Sequence, residues 1–116
     1  TIKPLIPSEV RNAIVEVTKI QSTVTEGTMV KDGQTTTDDV WIPSNHEIFG
    51  TTTYESTGPV YTTIYDSAAN RIKNNVSSGS ASVWWTRSAL STANFRNVGS
   101  DGNGYTNSAN YAGGYN

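Results

Sequence analysis

Val83-Trp84-Trp85-Thr86-Arg87-Ser88 is the most aromatic stretch in a chain of 116 residues, and its reading decides the fold. Successive side chains of a strand point to opposite faces. Trp84 and Trp85 therefore diverge, one entering the core and the other facing a loop layer or a site. Arg87 lies two positions beyond Trp85 on the same face, where it can stack on an aromatic ring or pair with a buried carboxylate such as Glu47. Buried charges are normally paired, so Arg87 reads as structural.

Upstream of this block, Ser44-Asn45-His46-Glu47 has the capping-box spacing and Gly50 fits a helix end, which predicts one helical segment between them. Val40-Trp41-Ile42, after a threonine-rich approach, reads as a short buried strand, and Lys31-Asp32-Gly33-Gln34 as a turn. Val15-Glu16-Val17-Thr18-Lys19-Ile20 alternates apolar and polar residues with the period of a half-buried strand. Pro7 and Ser8 open a short amphipathic helix with Val10, Ala13 and Ile14 on one face. Between the two halves, Tyr61–Tyr65 extends or leads into a second helix over residues 66–73, with Asp66 as its cap.

Downstream, the character changes. Residues 91–116 include six Asn, five Gly and three Tyr, which is not the composition of a core. Phe95 and Val98 precede a glycine-rich turn at residues 99–104, and Tyr105 starts a return strand, giving a late hairpin with polar loops. Tyr, Ser, Gly and Asn together are also the composition of antibody-like binding loops, where tyrosine supplies rigid contact area and small polar residues adapt their hydrogen bonds.

Composition narrows the function classes. Charged residues are 16%, against roughly a quarter in average proteins, and the net charge is -2, so bulk electrostatics attracts neither nucleic acid nor an anionic membrane. The chain has no cysteine, hence no disulfide and no thiolate metal site. No apolar run suits membrane insertion or a signal peptide. The single histidine, His46, would need a second histidine at position 50 to make a zinc-protease helix, and position 50 is glycine. Asp38 and Asp39 point to opposite faces of an extended chain and read as solvated turn residues rather than an acid–base pair. Asp101-Gly102-Asn103-Gly104 lacks the alternating oxygen ligands and distant glutamate of a calcium loop. Ser44 and Ser88 lack a nucleophile elbow, and Asn75-Val76-Ser77 is a glycosylation sequon that chance supplies easily. The inventory predicts a binding domain without cofactor, not an enzyme.

Several blocks in order carry a resemblance: Asp39-Val40-Trp41-Ile42-Pro43-Ser44 with Glu47 and Gly50, then Asn70-Arg71-Ile72-Lys73, Trp84-Trp85-Thr86-Arg87-Ser88-Ala89, and Asn94-Phe95-Arg96-Asn97-Val98 before Gly102. Over residues 5–116 the chain resembles an uncharacterised domain family of surface proteins of gut bacteria and their phages. That family has the signature Trp-Trp-Leu-Arg-Ser, with Thr86 here in place of leucine. Its pattern is in turn similar to the C-type-lectin-like fold of formylglycine-generating enzymes and of retroelement-diversified variable proteins.

The resemblance implies a single α+β domain over 1–116, with two short helices, a small twisted antiparallel sheet and long loops. Residues 91–116 would be the variable or binding region. Formylglycine-generating enzymes use cysteine chemistry, so their activity does not carry over to a chain without cysteine. In the diversified relatives, adenine-directed mutation alters asparagine-type codons near the C-terminus. The matching ligand-binding positions are Asn94, Arg96, Asn97, Asp101, Asn103, Tyr105, Asn107, Asn110, Tyr111 and Tyr115. The family usually closes on an apolar strand after a terminal glycine, and its absence after Asn116 implies a truncated C-terminus. The resemblance further implies an extracellular place on a bacterial surface or phage virion, with a protein or glycan receptor as partner. The alternative is a structural domain that packs as a homo-oligomer or within a larger assembly.

Overall fold

A computed structural model describes residues 3–108. Its longest element is an antiparallel hairpin of β1 (Val17–Thr25) and β2 (Thr28–Asp38), closed by Glu26 and Gly27 at φ 50° and 79°. A two-residue turn with both residues left-handed matches the twist of the flanking strands. The turn is therefore not at Lys31–Gln34, as the composition of that stretch suggested. Those residues lie inside β2, where Asp32 takes φ 54° and the register slips between Gln21 and Thr23. Turn chemistry here builds a bulge. The Asp32 carboxylate accepts from Ser56 N at 2.7 Å and from the Ser56 hydroxyl, tying the following loop to the hairpin.

The N-terminal helix, α1 (Ser8–Ala13), forms where expected, with Pro7 at its N-cap, but none of its residues is buried and Val10 is 56% exposed. Val40-Trp41-Ile42 is not a strand: the chain leaves β2 through a bend with Val40 and Trp41 half-buried and Ile42 exposed. The physical reason lies in Arg87. Its backbone N–H donates to Pro43 O at 3.1 Å and its Nη1 to Ile42 O at 3.0 Å, so these carbonyls serve an arginine instead of a ladder.

Helix α2 (Asn45–Phe49) carries the predicted capping box. Ser44 Oγ accepts from Glu47 N at 3.1 Å, Glu47 Oε2 accepts from Ser44 N at 3.0 Å, and Gly50 ends the helix at φ 71°. The single helix expected over 66–73 is instead two turns, α3 (Thr62–Tyr65) and α4 (Ala68–Arg71). Ser67, extended at φ -130°, interrupts them and caps α4, with its Oγ accepting from Asn70 N. Asp66, the predicted cap, accepts from Asn70 Nδ2 instead. Arg71 Nη1 takes the Tyr65 carbonyl at 2.8 Å, diverting an acceptor that a continuous helix would use.

The short pair β3 (Lys73–Asn74) and β4 (Ala81–Ser82) precedes a three-stranded antiparallel sheet in the order β5 (Trp84–Ala89), β6 (Asn94–Val98), β7 (Gly104–Ser108). The late hairpin forms as predicted, with Val98 opposite Gly104. In place of one small twisted sheet the described residues form three antiparallel sheets, and the domain is a compact α+β unit with few short helices. Neither Trp84 nor Trp85 is fully buried. Trp84 packs against Tyr65 with ring centroids 6.0 Å apart and donates Nε1–H to Arg71 O, while Trp85 meets Phe95 edge-on at 6.3 Å.

Between β1, α2 and β5 the interior is polar. Arg87 forks onto Glu47, with Nη1 and Nη2 each 2.7 Å from a carboxylate oxygen, and Nη2 also donates to Ile20 O at 3.0 Å. The carboxylate partner anticipated for Arg87 is thus the one it has. Glu55, 1% exposed, accepts from Ser22 N, Ser88 Oγ and His46 N. Ser88 Oγ in turn accepts from Asn45 N at 2.8 Å. Buried carboxylates satisfied in this way hold the hairpin, helix and sheet in one arrangement. His46 sits in the first turn of α2, its ring nitrogens 2.9 and 3.3 Å from the carbonyls of Thr51 and Gly58.

Candidate functional site

The loop between β6 and β7 is a closed unit built by its own side chains. Gly99 N donates to Asn103 O at 2.8 Å and Gly102 N to Gly99 O at 2.9 Å, with Gly102 at φ 80°. Asp101 gathers three donors: Asn103 N at 3.0 Å, Asn103 Nδ2 at 2.9 Å and the Tyr105 hydroxyl at 2.6 Å. The Tyr105 bond, followed by those from Asn103, holds the Asp101 carboxyl down at about 2, and the same bond raises the Tyr105 phenol above its ordinary value. From below, Arg71 Nε donates to Gly102 O at 2.7 Å and so fastens the loop to α4.

Beside this loop lies a cleft of about 290 Å3, bordered by Val83, Asn97, Gly99, Asp101, Tyr105 and Asn107. Asn97 forms its fully buried floor, whereas Tyr105 is 46% exposed. Four of the ten predicted binding residues, Asn97, Asp101, Tyr105 and Asn107, therefore converge on one cavity. Asn103 stands behind them as a brace for Asp101. Arg96 and Asn94 do not line the cleft. Arg96 turns into the domain, donating to Asn45 Oδ1 at 3.3 Å and Thr106 Oγ1 at 2.8 Å, with its guanidinium 5.5 Å from the Tyr54 ring centre. Asn94 closes the β5–β6 turn through backbone bonds with Leu90 and Ser91. Asn110, Tyr111 and Tyr115 lie outside the described residues.

The sequence reading missed Val83, Gly99 and Ser100 as lining residues, because a strand end and two small loop residues carry no chemical signal. With Asn97 fully buried beneath it, the cleft offers the Asn107 amide, one carboxylate and a phenol, which is the chemistry of hydrogen-bonded recognition. Among the described residues no group of three or more His, Asp or Glu side chains is placed to hold a metal ion, and no helix is long and apolar enough to cross a membrane.

The Asp101–Tyr105 bond makes a direct prediction. In Tyr105→Phe the Asp101 carboxyl is expected to titrate closer to its ordinary 3.8, followed by NMR of the carboxyl carbon against pH. A native value below the unfolded one stabilises the fold above pH 3.8 and loses that contribution as pH falls towards 2. The acid limb of stability should therefore be shallower in the variant. An unchanged Asp101 titration would remove Tyr105 as the cause.

Compared with known proteins, residues 2–115 match the model of a family described as a domain of unknown function, DUF6273. No curated protein and no solved structure matches the chain.

Proposed function

We propose, from the premise that this chain belongs to the family described as domain of unknown function DUF6273, that it is a non-enzymatic binding module whose ligand face is the β6–β7 loop and its cleft. The observation that carries the reading is the convergence of Asn97, Asp101, Tyr105 and Asn107 on one cavity, on a loop braced internally by Asp101 and anchored by Arg71. Braced loops bind without a large ordering cost. A rigid scaffold with a polar, tyrosine-bearing loop at one end is the arrangement that binding folds use. Short helices, small antiparallel sheets and long connections are compatible with the C-type-lectin-like fold of retroelement-diversified variable proteins, and we extend the proposal to that fold. The ligand is then a protein or glycan receptor, met from a bacterial surface or a phage virion.

The test is a glycan-array and surface-protein screen of the domain beside Tyr105→Ala/Asn107→Ala, with circular dichroism establishing that both are folded. Binding by the parent that weakens about tenfold or more, or roughly 1.4 kcal/mol, in the variant is the expected result. Equal binding by both would move the ligand face elsewhere. No binding by either would favour an assembly role, which has the exposure of Leu5, Val10 and Val15 on its side. In that case the domain should form a homogeneous oligomer at micromolar concentration. For diversification, template and variable gene copies should differ at adenines in the codons of the ten predicted positions.

A further inference from the structure

A second cleft, of about 300 Å3, opens where the chain leaves β2 and passes α3. Trp41, Pro43, Tyr61, Ile64 and Tyr65 form its walls and Asp39 sits in its lining. It shares no residue with the Asp101 cleft. We propose that it is a binding site for one neutral pyranose ring of a glycan, a site separate from the loop face and independent of the reading given to that face.

Both walls are held in advance by the buried hub. Tyr61 N donates to Glu47 O at 2.9 Å, and Arg87 N donates to Pro43 O at 3.1 Å, so α2 and Arg87 of β5 hold the backbone on both sides of the cleft. Trp84 backs the Tyr65 ring. The Tyr65 ring, backed in this way, offers stacking area with little loss of rotamer freedom on binding.

The lining also carries polar groups that can hydrogen-bond a sugar hydroxyl. The phenolic hydroxyls of Tyr61 and Tyr65 make no hydrogen bond among the described residues. Burial first, then the nearby Glu47 charge, raises both phenols above their ordinary value, so they remain protonated donors at neutral pH. Asp39 pairs with Lys3, whose side chain is 52% exposed, and a carboxylate keeps acceptor capacity beyond a single partner.

Charge selects a neutral ligand. Lys19 Nζ already lies 5.3 Å from the Trp41 ring centre and Lys73 Nζ 5.6 Å from that of Tyr65. Neither lysine belongs to the lining, Lys19 is paired with Asp38, and the one charged side chain that does line the cleft, Asp39, is paired with Lys3, so the lining presents no unpaired charge to a ligand. What remains is a ring with an apolar C–H face to stack on the aromatics and a rim of hydroxyls to donate to Asp39 and accept from the tyrosines. A pyranose has that anatomy. A proline-rich peptide also favours aromatic grooves, but its extended helix advances about 3.1 Å per residue and calls for successive slots, whereas this is a single cleft.

The experiment titrates the whole chain separately with the neutral trisaccharides maltotriose, N,N′,N″-triacetylchitotriose and mannotriose, following the Trp41 indole N–H by NMR and assigning it with Trp41→Phe. At least one sugar should shift that resonance saturably while the Asp101 and Tyr105 signals stay in place. Tyr61→Phe/Tyr65→Phe preserves the shape of the cleft and should weaken the binding about fivefold or more, as expected when a net hydrogen bond is lost. Asp39→Asn should also weaken it. No shift with any of the three sugars, unchanged affinity in the double phenylalanine variant, or tighter binding of an oligoproline peptide would each overturn the proposal.

Discussion

Arg87→Met is expected to cost about 3–5 kcal/mol of folding stability, the usual penalty for removing one partner of a buried ion pair. The pair is well enclosed, with side-chain exposures of 11% for Arg87 and 3% for Glu47. Methionine fills much of the arginine's volume, so the loss is one of charge and hydrogen bonds rather than of packing. The substitution strands the Glu47 carboxylate and frees the carbonyls of Ile20 and Ile42. Against a typical total of about 5–15 kcal/mol for a domain, such a loss would leave a substantial unfolded fraction in mild denaturant. Urea unfolding of Arg87→Met and Arg87→Met/Glu47→Met separates the causes. The double variant should recover much of the loss, since the stranded charge is then gone. A cost below about 1 kcal/mol in the single variant, the level of an exposed pair, would show that the fork does not organise the fold.

The second large effect belongs to Gly102→Ala. At φ 80° an L-residue is strained, by roughly 1–2 kcal/mol. A Cβ at this position would also lie 1.9 Å from the backbone oxygen of Ala68, which belongs to α4 and not to a flexible side chain. Overpacking of this kind costs about 1–3 kcal/mol more, and the movement that relieves it pulls Gly102 O away from Arg71 Nε. The loop should thus lose both stability and its braced shape, seen as a lower urea midpoint together with an altered Asp101 titration. Gly27→Ala is the matched control, since its φ is 79° and nothing lies within 4 Å of its added carbon. If the two variants lose the same stability, the contact with Ala68 is not constraining and the loop is not anchored to α4.

Much of the site depends on that anchor. Arg71 donates to Tyr65 O and Gly102 O, and its guanidinium lies 4.9 Å from the Phe49 ring centre. One residue therefore joins α2, the break between α3 and α4, and the β6–β7 loop. Nothing in the local pattern around Asn70-Arg71-Ile72-Lys73 announces such a role, because its partners are 6 and 31 residues away.

The elements that could be read from sequence were those whose cause is local. The Ser44–Glu47 capping box, the Gly50 helix end and the late hairpin are each specified by a few adjacent residues whose side chains or φ preferences act on their own backbone. Arg87 is legible for another reason: a buried arginine has to stack on an aromatic ring or find a carboxylate, and Glu47, held in its own capping box, is a carboxylate the sequence already places near the core. The misreadings share one feature, which is capture by a distant partner. Lys31–Gln34 has turn composition, but Glu26 and Gly27 close the hairpin and leave it to form a bulge. Val40–Ile42 has strand composition, yet its neighbouring carbonyls go to Arg87.

The sequence by itself determined a cysteine-free α+β chain with a structural, carboxylate-paired arginine and a late, tyrosine-bearing hairpin loop, since composition, capping and alternation act over short range, whereas the polar interior emerged only from the structure. Only the tertiary structure decided which asparagines and tyrosines share a cavity, that Arg96 turns inward while Asp101 turns out, and that Trp41, Tyr61 and Tyr65 enclose a second cleft. Those placements depend on hydrogen bonds between residues far apart in the chain, whose partners are chosen by the packing of whole elements and not by the residues beside them.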